Sequence, residues 1–373
     1  MEKINSFYQK LNLKKVINAA GKMSIIGVST ISKAVGQSMI TAGQDYVVMK
    51  DLVTQASRYL AKLLQVEDVH IVNCAAGGIA ISVAGMIAQD NYALQLNVLQ
   101  NHELPNEIIL PKGHNINFGG AIETMVNLGG GVVKEAGYAN MCYSQHLTSL
   151  INSRSAAVLY IKSHHCVQKS IISPQEAITT AHQHNLPIII DCAAEEDLIK
   201  YYHQGADVVI YSGTKALSGP TAGLIIGKQK YLNYIRAQSG GIARAMKIGK
   251  ENIAGLVQAV EEYLVRKPDV SDQIKLLEQL QVMIDNLPGI KSIIEQDEAG
   301  RELYRLKIII DPAITNFQAN DLIHYFENND PILITRNNYA NKNIIYIDPR
   351  ALALEDIKII GGLIQEYVKK EGQ

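Results

Sequence analysis

Two apolar runs in the middle of the chain each lead to a chemically active side chain, and they constrain the fold more than any other feature. Leu186 begins a run of branched aliphatic residues that stops at Asp191. Asp207 begins a second run, which leads into a turn rich in serine, glycine and threonine that carries Lys215. Strands this apolar must be covered on both faces, which predicts neighbouring central strands of a parallel sheet. Ligands bind beyond the carboxyl ends of such strands, where Asp191 and Lys215 both fall.

Strand and helix patterns alternate along the first two thirds of the chain, which predicts right-handed crossovers and an α/β fold. We expect a seven-stranded, mostly parallel sheet covered by helices, and a smaller C-terminal α+β domain. The predicted strands of the sheet are residues 69–72, 107–110, 131–135, 157–161, 187–191, 207–211 and 222–227. The other predicted elements are helices 51–64, 195–204, 252–265, 270–286, 317–328 and 354–369, strands 303–311, 332–335 and 344–347, and a loop or insertion at 90–106.

The predicted domains are an N-terminal arm at 1–45, a large domain at 46–255 and a small domain with a linking helix at 256–373. A net charge of −1 over 373 residues gives no general attraction to nucleic acid or to an anionic membrane surface. The first 20 residues contain charges and no long apolar core. We therefore expect a soluble cytoplasmic protein. Its four cysteines are widely spaced without a CxxC pair, so neither a metal cluster nor a disulfide framework is expected.

The order of the carboxylate and the amine suggests a cofactor. A lysine amine forms a Schiff base with an aldehyde, and in pyridoxal phosphate (PLP) enzymes a carboxylate partners the protonated ring nitrogen. Lys215 lies 24 residues after Asp191, which leaves room for one β-α-β step. Taken singly, the aspartate could cap a helix and the lysine could be solvated. Taken together, the two residues predict a PLP site.

A PLP site also needs a cradle for the phosphate. Ala76, Gly77 and Gly78 lie between a predicted strand and a helix whose first amides can bind an anion. The two glycines could equally serve close helix packing. Ser212 and Thr214 add hydroxyls near Lys215, although either could cap the turn.

Histidines follow two other predicted strands. His114 could stack on the cofactor ring or relay a proton. His164 and His165 are adjacent and point in different directions, so at most one is expected to face the ring. A metal site is the competing interpretation, but no third ligand has a supporting spacing, and we predict none. By contrast, His182 and His184 are most simply solvent-facing.

Arginines near the ends of predicted strands could bind an anionic substrate. Arg244 follows the lysine strand, and Arg336 and Arg350 lie in the small domain. The arginine fork suits a carboxylate because it offers two parallel hydrogen bonds. Each of these residues could equally lie on a solvated surface.

Several blocks of sequence resemble one family of enzymes. Residues 207–220, with residues 16–21 and 111–114, resemble the selenocysteine synthase-like group of PLP enzymes, which have the aspartate aminotransferase fold. Within this group the match is closest to the D-glucosaminate-6-phosphate ammonia-lyase family, in segments 22–23, 110–115, 160–169, 191–198 and 244–250. The resemblance covers essentially the whole chain and is weakest between Pro268 and Ile332.

The resemblance implies conversion of D-glucosaminate 6-phosphate to 2-keto-3-deoxy-6-phosphogluconate and ammonia. Lys215 would hold PLP and then take the C2 proton, while Asp191 keeps the ring nitrogen protonated. His114, His164 or His165 would assist loss of the 3-hydroxyl. The resemblance further implies that Arg336 or Arg350 binds the substrate carboxylate, and that Arg244 or Lys22 binds its phosphate.

Other activities on the same scaffold remain open from the sequence. They are selenium transfer to a seryl-tRNA, another PLP-dependent elimination from an amino acid, and a non-catalytic protein. The near-neutral charge and the absence of room for an additional N-terminal tRNA-binding domain argue against the transferase. The intact Asp191 and Lys215 pair argues against the non-catalytic protein. We expect a homodimer or higher homo-oligomer with active sites at the interface, and no nucleic-acid or membrane partner.

Overall fold

The computed structural model of the protein describes residues 7–100, 103–163, 165–266, 270–297 and 302–371. The strands within these ranges are β1 Val16–Ala19, β2 Asp68–Val72, β3 Glu107–Pro111, β4 Val132–Ala136, β5 Ser155–Ile161, β6 Ile188–Asp191, β7 Val208–Ser212, β8 Gly223–Gly227, β9 Ile290–Gln296, β10 Tyr304–Ile310, β11 Ile332–Thr335 and β12 Ile344–Ile347. The α-helices are α1 Phe7–Lys10, α2 Lys33–Gln44, α3 Met49–Leu64, α4 Ala75–Ala88, α5 Tyr92–Leu96, α6 Ile122–Leu128, α7 Ser144–Thr148, α8 Pro174–Gln183, α9 Lys200–His203, α10 Gln229–Ala237, α11 Lys250–Val265, α12 Val270–Ile284, α13 Pro312–Thr315, α14 Ala319–Asn328 and α15 Leu354–Glu371.

The described residues form two compact units. One unit contains residues 29–266, and the other contains the described residues of 1–28 and 267–373. This grouping differs from the predicted boundaries at 45 and 255, because α2 and α11 pack together inside the larger unit. Ser32 at the start of α2 donates a 2.8 Å hydrogen bond to Glu262 of α11, and Gly255 of α11 lies against Met39.

The larger unit is built on the predicted seven-stranded sheet, whose strand order is β2-β8-β7-β6-β5-β3-β4. β8 runs antiparallel to both of its neighbours, and the other adjacent pairs are parallel. The central strands are branched aliphatic and buried along their length, and helices cover both faces, as a parallel sheet requires. The fold predicted from the alternating pattern is therefore confirmed.

Predicted strands and observed strands agree within about two residues in this sheet, but two predicted connections were wrong. The helix expected at 195–204 is reduced to the single turn α9, because Asp197 Oδ1 accepts hydrogen bonds from the N–H groups of Ile199 and Lys200 and delays the helix start. The segment expected to be a loop or insertion at 90–106 contains the short helix α5, which Asn91 caps by accepting a hydrogen bond from Leu94 N–H.

The smaller unit contains an antiparallel sheet, β12-β10-β9, and a parallel pair of β1 with β11. β1 belongs to the segment predicted as an N-terminal arm, and it packs within this unit. Val16–Ala19 pairs residue by residue with Ile332–Thr335, and Ile17 and Ala19 are buried in the core of this unit. No helix in the described ranges is long and apolar enough to cross a membrane.

Candidate active site

Most of the predicted site residues of the larger unit lie at one edge of its sheet. β2, β3, β5, β6 and β7 all end there, because β8 is antiparallel to the strands on either side of it. Asp191 is the last residue of β6, and the segments that follow the other four strands carry Asn73, His114, Lys162 and Lys215. A parallel sheet therefore brings together residues that are distant in sequence.

Asp191 is the last residue of β6 and is only 7% exposed. Its Oδ1 accepts a 3.0 Å hydrogen bond from Ala193 N–H. Burial raises the pKa of Asp191 to about 6, although the Ala193 hydrogen bond and the charge of Lys215 both oppose this shift. The carboxylate is therefore still mostly ionised at neutral pH.

Lys215 lies in the turn that leaves β7, on the strand next to Asp191. The turn is held by the hydrogen bonds from Ser218 N–H to the Lys215 carbonyl and from Gly219 N–H to the Gly213 carbonyl. Burial lowers the pKa of the Lys215 amine, and the charge of Asp191 opposes this effect. The predicted acid and amine thus lie in each other's electrostatic field, as a shared ligand would require.

The N-terminus of α4 forms the candidate phosphate cradle beside this turn. Gly223 lies directly between the two, because it pairs with Val72 on one side and with Ser212 on the other. Cys74 caps the helix by accepting a hydrogen bond from Gly77 N–H. A Cβ at Gly77 would overlap the Oδ1 atom of Asn73, whereas a Cβ at Gly78 would lie 3.0 Å from Ile210 of the sheet.

The two glycines therefore have different roles. Gly78 allows α4 to approach the sheet, as the alternative interpretation proposed, and Gly77 leaves space for the Asn73 side chain. Asn73 Oδ1 is buried and has no hydrogen-bond partner within the described residues. This amide oxygen is an acceptor, so a ligand group that carries a hydrogen, and not a phosphate oxygen, would complete it.

Ser212 and Thr214 place their hydroxyl oxygens 3.0 Å apart at the start of the lysine turn. The Thr214 carbonyl accepts a 2.7 Å hydrogen bond from Ser29 Oγ, which ties the turn to residues before α2. Both side chains are partly exposed. They stabilise the turn, and their predicted role in binding a phosphate stays a prediction.

His114 is almost fully buried in the turn after β3. Its Nδ1 accepts a 3.3 Å hydrogen bond from Ile161 N–H, and its ring meets Tyr160 edge-on at 4.5 Å between centroids. Burial and the nearby charge of Lys162 lower the pKa of His114 to about 4. The imidazole is therefore neutral at physiological pH, with its proton on Nε2.

The paired histidines after β5 are less informative. His164 lies outside the described residues. His165 is exposed, and its backbone N–H donates a 3.2 Å hydrogen bond to Ser163 Oγ. The structure thus gives His165 no buried position at the site, and its predicted catalytic role stays a prediction.

Three of the predicted substrate-binding residues belong to the smaller unit. Lys22 follows Gly21, and a Cβ on Gly21 would lie 2.9 Å from an Arg350 side-chain nitrogen. Arg336 follows β11 and pairs with Tyr346 through two 3.0 Å backbone hydrogen bonds. In the larger unit, Arg244 is exposed in a short 3-10 turn.

Three residues at these positions were not assigned roles from the sequence. Asn73 has a buried side-chain oxygen beside Gly77, and Asp348 accepts several hydrogen bonds; no sequence motif indicates either arrangement. Lys162 was quoted within a family block, but its charge acts on His114 and on Cys166, whose pKa burial raises to about 12. Its place directly after β5 was the available signal, because every other strand end nearby carries a site residue.

Another prediction about histidines was wrong. His182 is not simply solvent-facing, because its Nε2 lies 2.9 Å from Asp207 Oδ2. Asp207 also accepts a 2.6 Å hydrogen bond from Lys228 and a 2.9 Å hydrogen bond from Ile188 N–H. This cluster lies at the opposite edge of the sheet from Lys215.

The residues present fit PLP. The amine of Lys215 would hold the aldehyde, the Asp191 carboxylate would face the ring nitrogen, and the amides at the start of α4 with Ser212 and Thr214 would bind the phosphate. The donor chemistry supports this fit, since the hydroxyls of Ser212 and Thr214 and the first N–H groups of α4 can donate to phosphate oxygens.

Comparisons with known proteins agree with this interpretation. A model of the L-seryl-tRNA selenium transferase family matches residues 50–296. The D-glucosaminate-6-phosphate ammonia lyase of Salmonella typhimurium is 37% identical over 98% of both chains. A solved structure of a D-glucosaminate-6-phosphate ammonia-lyase superposes with a TM-score of 0.93 and 36% identity, covering 99% of this chain and 100% of that chain.

A further relative has a different activity. The 5'-C-glycyluridine monooxygenase-decarboxylase of a Streptomyces species is 34% identical over 98% of this chain and 92% of its own length. The family match nevertheless extends over more than half of the chain, and it confirms the predicted fold and PLP as the cofactor. The chain belongs to the L-seryl-tRNA selenium transferase family, the selenocysteine synthase-like group of PLP enzymes.

Proposed function

We propose that this protein is a PLP-dependent ammonia-lyase that converts D-glucosaminate 6-phosphate to 2-keto-3-deoxy-6-phosphogluconate and ammonia. The observation that carries the proposal is the 37% identity to the Salmonella enzyme along 98% of both chains. The electrostatic pairing of Lys215 with Asp191 supports it, because an elimination next to an amine needs a base and an electron sink.

When bound, PLP supplies an electron sink that stabilises negative charge at the substrate's C2 atom. Lys215 is the base that removes the C2 proton, and its lowered pKa favours the neutral amine that this role requires. Asp191, still mostly ionised at neutral pH, holds a proton at the ring nitrogen. The burial of both groups excludes water and strengthens their interaction.

The 3-hydroxyl must leave as water, and a proton donor assists this step. His114 can supply only the Nε2–H of a neutral imidazole, because its pKa of about 4 excludes the imidazolium at neutral pH. His164 and His165 stay candidates for the same role. Lys162 adds a positive charge beside His114, which favours the developing negative charge on a leaving oxygen.

Four cations are proposed for the ends of the substrate. Arg336 or Arg350 binds the carboxylate, and Arg244 or Lys22 binds the phosphate, as the family resemblance implies. The cytoplasmic location and the homo-oligomer with active sites at its interface also stay predictions from the sequence.

The test is release of keto acid and ammonia from D-glucosaminate 6-phosphate by the PLP-loaded protein. We expect a yellow protein, turnover of this substrate, and much slower turnover of the unphosphorylated sugar acid and of D-serine. Lys215→Ala should lose the colour and lower kcat by at least about 10²-fold. Lys62→Ala, which removes an exposed lysine from α3, is the matched control. Equal rates with and without the substrate phosphate would contradict the proposal.

The Streptomyces relative gives a second candidate, because it matches nearly the whole chain under the name of a monooxygenase. The two candidates differ in their need for oxygen. The proposed elimination consumes none, so its rate should be the same in anaerobic buffer. An activity that requires O₂ would favour the second candidate. Selenium transfer to a seryl-tRNA is less well supported, because a net charge of −1 provides no general attraction to RNA.

A further inference from the structure

The peptide group that joins Thr214 to Lys215 is held by a side chain from a distant part of the sequence. Ser29 Oγ donates a 2.7 Å hydrogen bond to the Thr214 carbonyl, across 185 positions of the chain. On the other side of the same peptide group, Lys215 N–H donates to the Ser212 carbonyl at 3.4 Å. Because the first hydrogen bond is clearly shorter than the second, Ser29 is the stronger constraint on this peptide group.

Helix α11 holds the lysine turn where it begins and where it ends. A Cβ at Gly213 would lie 3.0 Å from a Leu256 side-chain atom, which shows how closely the start of the turn packs on this helix. Asn252 Nδ2 donates a 3.0 Å hydrogen bond to the Thr221 carbonyl near the end of the turn. The Ser29 hydrogen bond lies between these two attachments and acts directly beside Lys215.

Two residues near this hydrogen bond have a left-handed backbone that their side chains disfavour. Val28, which directly precedes Ser29, has φ +65, and Ser218 in the lysine turn has φ +51. A left-handed conformation is uncommon outside glycine and is most unfavourable for a β-branched residue such as valine. Strained conformations of this kind persist only where surrounding contacts hold the chain. The Ser29 hydrogen bond is such a contact, because it fastens the residue next to Val28 to the lysine turn.

We infer that Ser29 is a positioning residue that orients the Lys215 side chain towards the cofactor through the Thr214 carbonyl. The peptide group is planar, so a hydroxyl that holds its carbonyl also restricts the direction in which the Lys215 side chain leaves the backbone. The same hydrogen bond holds Thr214, whose hydroxyl is predicted to bind the cofactor phosphate. The inference rests on the proposed function only in taking Lys215 as the cofactor lysine, and it does not depend on the substrate.

The first measurement is amide hydrogen exchange of the cofactor-free protein, followed by mass spectrometry. In Ser29→Ala, residues 213–221 should exchange faster by between about twofold and about tenfold, the range for one lost hydrogen bond between neutral groups. Exchange in the other segments of the larger unit, such as α8, should stay as in the wild type.

Ser38→Ala is the matched control. Ser38 is also a half-buried serine of the larger unit, and its Oγ donates a 3.3 Å hydrogen bond to Gln258 Oε1 on α11. The control therefore removes a comparable hydroxyl whose hydrogen bond is made away from Thr214. Its exchange over residues 213–221 should equal that of the wild type.

The second measurement is the affinity for PLP in an absorbance titration. Ser29→Ala should weaken PLP binding by between about twofold and about tenfold, and Ser38→Ala should bind PLP like the wild type. Ser29→Thr retains the hydroxyl, so it should restore both the slow exchange of residues 213–221 and the affinity for PLP. Ser29→Gly removes the same hydroxyl and carries the test if Ser29→Ala fails to fold.

Unchanged exchange over residues 213–221 together with unchanged PLP affinity in a folded Ser29→Ala protein overturns the inference. Faster exchange throughout the chain, or an equal change in Ser38→Ala, also overturns it, because either result would show a general loss of stability. Failure of Ser29→Thr to restore the two quantities overturns it as well. A wild type that binds PLP but releases no ammonia from D-glucosaminate 6-phosphate refutes the proposed function and leaves the exchange result intact, so the two failures are distinguishable.

Discussion

Replacing His114 by asparagine should change how the stability of the cofactor-free protein depends on pH. His114 is 2% exposed, and its Nδ1 accepts a hydrogen bond from Ile161 N–H. An asparagine oxygen can accept the same bond, so the substitution removes the titrating group and keeps its main contact. The expected effect follows from the pKa of about 4 that burial and the charge of Lys162 cause in the folded state.

The sign follows from proton binding. The unfolded chain protonates this histidine near the ordinary histidine pKa of 6.5, whereas the folded protein resists protonation until about pH 4. The stability contribution of the neutral imidazole is complete above pH 6.5 and is lost as the pH falls towards 4. A difference of about 2.5 pKa units corresponds to about 3 kcal/mol at the acid limit and to about 2 kcal/mol at pH 5.

The measurement is urea unfolding by circular dichroism at several pH values between about 7.5 and about 4.5. The free energy of unfolding of the wild type should fall relative to His114→Asn by about 2 kcal/mol between about pH 7.5 and pH 5. Acid titration of His70, whose pKa burial also lowers to about 4, affects both proteins equally and cancels in the difference. Asp191 has the opposite sign, since its raised pKa stabilises the folded state as the pH falls, and it cancels in the same way.

His324→Asn is the control, because this side chain is 74% exposed on α14. It measures the effect of replacing a histidine by an asparagine where the imidazole is not buried. Parallel curves for the wild type and His114→Asn across this range would refute the burial argument. They would also return the His114 imidazolium to the candidates for the proton donor in the proposed reaction.

Three further predictions follow from the same contacts. Gly77→Ala should weaken PLP binding by about tenfold or more in an absorbance titration, because the new Cβ would overlap Asn73 Oδ1. The control Gly362→Ala should bind PLP normally, because its Cβ would meet nothing within 4 Å, and unchanged affinity in Gly77→Ala would show that the cradle tolerates a side chain. Asp191→Asn should lower the pKa of the Lys215 amine further, measured by pH-dependent amine modification of the cofactor-free protein and mass spectrometry, and a higher pKa would contradict the electrostatic pairing. Asp207→Asn should destabilise the fold by about 3 kcal/mol in thermal unfolding and leave KM unchanged, and a raised KM would link the opposite edge of the sheet to substrate binding.

The strands of the large sheet could be predicted from the sequence because their signal is local. A buried parallel strand must be apolar at every position, so its limits coincide with the limits of the apolar run. The same reasoning placed Asp191 and Lys215 at one edge, since parallel order determines which strand ends meet. β1 and β9 lacked this signal, because Val16–Ala19 is short and four of the seven residues of Ile290–Gln296 are polar.

Several residues around these positions could not be predicted in this way. Lys162 and Asp348 act on residues that approach only in the folded chain, and no spacing rule connects Asp348 with Gly21. The pKa of His114 illustrates the same limit. Its position after a strand predicts a place at the site, but its neutral state depends on burial and on Lys162, which only the folded structure reveals.

Two buried aspartates at opposite edges of the sheet show how position distinguishes a carboxylate suited to a reaction from one that stabilises the fold. Asp207 precedes β7 at the amino edge, where His182, Lys228 and a backbone N–H hold both of its oxygens. Asp191 ends β6 at the opposite edge, where it accepts a hydrogen bond from Ala193 N–H. Burial raises the pKa of its carboxyl group, and the charge of Lys215 opposes this shift. Both residues look alike in the sequence, as single carboxylates beside apolar runs. A carboxylate held by several partners stabilises the fold, whereas one whose pKa is raised to about 6 by burial beside an amine of lowered pKa is suited to exchange protons and bind a cofactor.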